Sequence, residues 1–105
     1  MIAVYGTCAH EPADLGRLIA ELLGVRFTEH ENDYRGIYLA ARLGEAHIEI
    51  QLNAIPGDDD QLDFYADEHP DTPVLVLVSG PDQDGALSTG LAAIAGLAVL
   101  EIRCT

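Results

Sequence analysis

Residues 37–52 read IYLAARLGEAHIEIQL, and this stretch decides the fold. Ile37, Leu39, Ala41 and Leu43 alternate with Tyr38, Ala40 and Arg42. Beyond Gly44-Glu45, the residues Ala46, Ile48, Ile50 and Leu52 alternate with His47, Glu49 and Gln51. Successive side chains of a strand point to opposite faces, so each run has one apolar and one polar face. Two such runs around a short glycine-containing turn make a β-hairpin. The turn sets the register. Arg42 faces His47, Ala40 faces Glu49 and Tyr38 faces Gln51, on the face away from the apolar one. That face reads as a wet sheet surface. Its residues Tyr38, Arg42, His47, Glu49 and Gln51 are candidates for a flat binding site or a pocket floor.

Working outward, Met1 to Gly6 reads as a strand, and Pro12 suits the first turn of a helix. Leu15, Leu18, Ile19 and Leu22 make one apolar helical stripe that Gly24 closes. Val25 to Glu31 alternates weakly as a strand and Asn32-Asp33 turns. Past the hairpin, Ile55-Pro56-Gly57 breaks the strand. Leu62, Tyr65 and Ala66 are spaced for a short helix inside the segment that follows. Val74 to Val78 is apolar throughout, which suits a strand covered on both faces. Pro81 to Gly85 reads as a turn with cap-capable Asp82 and Asp84. Leu87, Leu91 and Ile94 form a second helical stripe, weakened by Gly90 and ended by Gly96, and Leu97 to Arg103 reads as the last strand. The expectation is one α+β domain over residues 1–105, ordered βαβββ, a short helix, then βαβ. Two helices pack on a mostly antiparallel sheet of ferredoxin-like type.

Charge is unevenly placed. From 43 to 102 there is no Lys or Arg but twelve carboxylates, whereas the first 42 residues carry six acids against four Arg. The formal charge of −13 therefore sits mostly in one part of the chain. Such a field repels nucleic acid and anionic lipid and attracts basic proteins. Residues 58–71 hold seven acids in fourteen positions. Apolar residues make up 49%, which excludes disorder, and no apolar run is long enough to span a bilayer. The start, MIAVYGTCAH, lacks the basic and long apolar regions of a signal peptide, so a cytoplasmic protein is expected. There Cys8 and Cys104 read as reduced, partly buried thiols rather than a redox pair.

Catalytic and metal signatures are missing from the sequence. Ser79 lies in Val-Leu-Val-Ser-Gly-Pro and lacks the glycine-flanked pattern of a nucleophile elbow. His10, His30, His47 and His69 have no zinc-ligand spacing, and Asp58-Asp59-Asp60 lacks the glycine and distal Glu of a calcium loop. No catalytic residue, metal ligand set or cofactor is assigned, and enzyme activity is not expected.

The βαβββ order, with a helix ending Leu22-Leu23-Gly24-Val25, resembles a module of the glyoxalase/bleomycin-resistance (vicinal oxygen chelate) superfamily. Val74 to Cys104 resembles the start of a second module. The resemblance implies a small-ligand or enzyme-like protein, with Glu49 in the place of that family's strand-borne carboxylate. The second module lacks its last two strands, and the first strand has no His or Glu in a ligand position. By size, acidity and lack of a catalytic set, the chain is also similar in type to bacterial immunity proteins, which block a cognate toxin. That similarity implies a basic protein partner, docked by Asp58, Asp59, Asp60, Asp63, Asp67 and Glu68 with Phe64 and Tyr65 as anchors. A regulatory ferredoxin-like homodimer is the further alternative.

Overall fold

The computed structural model describes residues 2–32, 36–56, 62–64, 71–80 and 85–103. In chain order they form β1 (Ile2–Thr7), α1 (Pro12–Leu23), β2 (Thr28–Asn32), β3 (Gly36–Leu43) and β4 (Ala46–Leu52). Then come β5 (Ala54–Pro56), β6 (Leu62–Phe64), β7 (Val74–Ser79), α2 (Ala86–Ala92) and β8 (Leu97–Arg103). Among the described residues no helix is long and apolar enough to cross a membrane.

The fold is α+β. Six strands form one sheet in the order β2-β3-β4-β7-β1-β8, and each neighbouring pair is antiparallel. The β3–β4 hairpin has the expected register, with Tyr38 opposite Gln51, Ala40 opposite Glu49 and Arg42 opposite His47. Period-2 alternation demands it, because a one-residue slip would turn Ile48 and Ile50 out of the core. β7 inserts between β4 and β1, which explains the unbroken apolar run Val74–Val78. Val74, Val76 and Val78 are buried under the helices, Leu75 is buried on the other face, and Leu77 there is partly buried.

Both helices lie on one face. Leu15 and Ile19 of α1 and Leu87 and Leu91 of α2, with Ile94 just beyond it, join one buried cluster with Ala3, Tyr5, Ile48, Ile50, Val76 and Val78. Proline opens α1 where a free N–H is not needed, and Gly24 closes it at φ 66°. Leu22, expected in the buried stripe, is half exposed. At its last turn α1 leans on α2 rather than on the sheet, and Leu23 packs there instead. A Cβ on Gly90 would sit 2.5 Å from Leu23 Cδ2, so the glycine that weakens α2 as a helix permits this contact.

Five expectations need correction. Leu62–Phe64 is a strand, not the start of a short helix, because Ala54–Pro56 offers it a pairing partner. Pro56 is no breaker there, since a two-stranded ribbon tolerates a missing edge donor. β2 starts at Thr28, later than expected, because Val25 and Phe27 turn inward to pack on the core. Cys8 is exposed rather than partly buried. Gln51 is not on a wet face. It and its neighbour Leu75 are fully buried on the side away from the helices. Thr72 and Leu100 close over Gly6 on that same side, where even a Cβ would come within 2.5 and 2.8 Å of them.

Candidate functional site

The expected docking segment falls mostly beyond what the structure describes. Asp58, Asp59, Asp60, Tyr65, Asp67 and Glu68 lie outside the described residues. Asp63 and Phe64 are placed as backbone positions of β6, opposite Ile55 and Ala54. The roots of the segment are well defined. The Asn53 N–H donates to the Pro73 carbonyl at 2.9 Å, which ties the end of β4 to the start of β7. The two ends of residues 54–72 thus meet at one end of the sheet.

The sheet-face candidates are split. Tyr38 stacks on His30 of β2, with ring centroids 5.4 Å apart, and Gln51 is buried. Arg42 and His47 instead join Arg26 and His30 around a shallow hollow of about 500 Å³, with no carboxylate among its described lining. Neither Arg26 nor Arg42 has an ion-pair partner among the described residues, whereas Arg17 is held by Asp14 at 3.0 Å. This hollow lies beside the β3–β4 turn, at the sheet end opposite Asn53 and Pro73.

The end that carries 53 and 73 holds a larger feature. A groove of about 590 Å³ opens on the helix side of the sheet, and apolar atoms dominate its surface. It exists because three strands outrun α1. Ile37 at the start of β3, Leu52 at the end of β4 and Val74 at the start of β7 stand beyond Pro12, where the helix begins. Ile37 is 58% exposed and Leu52 48%, large values for such side chains on a small domain. The loop Cys8–Glu11 forms one wall, and Glu29 of β2 stands on the other side. His10 is committed elsewhere, its Nε2–H donating to the Ala95 carbonyl at 2.7 Å.

Sequence reasoning missed this groove. Its lining comes from segments around 8–13, 29, 37–39, 50–52 and 73–74, which no local pattern connects. Among the described residues no three His, Cys, Asp or Glu side chains are gathered to hold a metal. His47 and Glu49 occupy the outer face of β4, with Ser79 and Leu77 of β7 opposite them. Compared with known proteins, the chain matches no family model, no curated protein and no solved structure.

Proposed function

We propose that this chain is a non-enzymatic acidic binding protein of the immunity type, which blocks a basic toxin or enzyme domain by occlusion. One observation carries the reading: twelve carboxylates and no Lys or Arg between 43 and 102. A solvated acidic surface needs no such segregation, since solubility is served by charges on every face. The hydrogen bond between Asn53 and Pro73 adds support, because it brings together the two ends of the segment that holds these acids. We read β8-β1-β7-β4 with the two helices as a ferredoxin-like unit extended by β2 and β3. A bacterial cytoplasmic setting goes with the immunity reading.

The mechanism is electrostatic steering followed by steric cover. Exposed acids raise the encounter rate with a basic surface and are screened beyond a Debye length of ~8–10 Å. A basic protein should therefore co-purify one-to-one at low salt and be released by added salt. Replacing Asp59, Asp60, Asp63 and Asp67 with Asn should slow its association about tenfold while leaving the melting temperature intact. Stopped-flow mixing at two salt concentrations checks it. Equal association rates for both proteins at both salts would move the interface off this segment.

One observation favours a second reading, the sheet-mediated homodimer. The two sheet edges differ. β2 exposes Glu29, His30 and Glu31, charges that discourage pairing, while β8 begins Leu97-Ala98-Val99-Leu100 with Val99 52% exposed. If β8 pairs with a second copy, the protein should sediment as a dimer at micromolar concentration and Val99→Lys as a monomer. A monomeric parent at that concentration would end this reading.

A further inference from the structure

We propose that the groove at the start of α1 is the anchor pocket for the basic partner. It seats one bulky apolar side chain whose neighbours in the partner are Lys or Arg. The charge half of this proposal rests on the basic-partner reading; the apolar half rests on the groove alone. Ile37 and Leu52 leave apolar surface open in a cleft of about 590 Å³, within the ~300–1,000 Å³ range typical of binding pockets. Glu11 and Glu29 line the same cleft and no Lys or Arg does, among the described residues. Pro73 and Val74, at the return of the acidic segment, line it too. An apolar floor with a carboxylate rim selects an amphipathic cation. A second copy of this chain would bring its own −13 against that rim, and an apolar side chain flanked by acids would be repelled. Interfaces commonly work this way, with one buried anchor setting the dissociation rate and surrounding charge setting the encounter.

The test uses short end-blocked peptides, Lys-Lys-Xaa-Lys-Lys with Xaa as Gly or Phe, and a Glu-Glu-Phe-Glu-Glu control, titrated by calorimetry. The Phe peptide should bind about tenfold tighter than the Gly peptide, as expected for burying an aromatic ring. The Glu-flanked peptide should not bind. Ile37→Ser with Leu52→Ser should erase the Phe advantage and leave the weak, salt-sensitive binding of the Gly peptide. Both side chains are about half exposed, so the fold tolerates the change. A second measurement leaves the groove's lining unmutated. In a Cys104→Ser chain, the Phe peptide should slow maleimide alkylation of exposed Cys8 on the groove wall, and the Gly peptide should not. Salt-sensitive binding that ignores Xaa would overturn the anchor pocket and leave the basic-partner reading standing. Binding of the Glu-flanked peptide as tight as that of the Lys-flanked Phe peptide would leave an apolar pocket and overturn the basic partner at this site. No binding of any peptide at millimolar concentration would overturn the proposal.

Discussion

Ile48→Asp should leave the chain without a cooperative urea or thermal transition at 25 °C. Ile48 has no exposed surface and stands between Ala41 of β3 and Val78 of β7, on the face that both helices cover. A carboxylate there meets only apolar groups. The chain has no Lys, and Arg42, on the neighbouring strand, points to the opposite face. An unpaired buried charge costs several kcal/mol, against a total stability of about 5–15 kcal/mol for a domain. His47→Asp, one residue earlier and exposed on the other face, should stay within about 0.5 kcal/mol of the parent. Far-UV circular dichroism through a urea series separates the two. A parent-like midpoint for Ile48→Asp would mean that the hairpin presents its other face to the helices.

That contrast was legible in the sequence because strand periodicity is a local property. Residues 37–52 carry both the alternation and the turn, so the register follows without knowledge of anything else. The unbroken apolar run Val74–Val78 likewise announced a strand covered on both faces. It did not announce its neighbours. Placing β7 beside β4 puts Leu75 opposite Gln51, and a glutamine in an alternating strand then becomes a buried residue. Read in isolation, Gln51 belongs to a wet face, because the hairpin cannot report what packs on it. The two short strands β5 and β6 were missed for the same reason. Three-residue strands exist only by pairing with one another, and Leu62 carries helical spacing by composition alone.

The candidate site divides along the same line. The charge segregation is a one-dimensional fact and was read directly. The groove is not. It arises where α1 starts late relative to the ends of β3, β4 and β7, so its apolar residues read as ordinary core positions of their strands. Ile37 and Leu52 fit the inward pattern as well as Ile48 does. Only the helix length and the strand order show that nothing described sits above them. The cationic hollow is similar, since Arg26 and Arg42 meet only because the chain after α1 passes the β3–β4 turn.

Gly80→Ala should be the most damaging of the small substitutions, and its cost has two separable parts. Gly80 follows the last residue of β7 at φ 100°, a backbone region that side-chain-bearing residues resist at about 1–2 kcal/mol. It also passes close to the hairpin turn. A Cβ would lie 2.8 Å from the Glu45 carbonyl oxygen and 3.1 Å from the Ala46 Cα. Both are backbone atoms, and Ala46 is buried at the start of β4, so no side chain can swing aside. Overpacking of this kind adds roughly 1–3 kcal/mol. The sum, on the order of 2–5 kcal/mol, lowers the melting temperature by about 10–40 °C in a domain this size. Gly44→Ala isolates the first part, since Gly44 has φ 61° but nothing within 4 Å of its Cβ position. Calorimetric melting of both variants should therefore show Gly44→Ala losing about 1–2 kcal/mol and Gly80→Ala clearly more. If the two fall equally, the end of β7 does not press on the turn. The turn that carries Arg42 and His47 to the cationic hollow would then be held by the β3–β4 ladder alone.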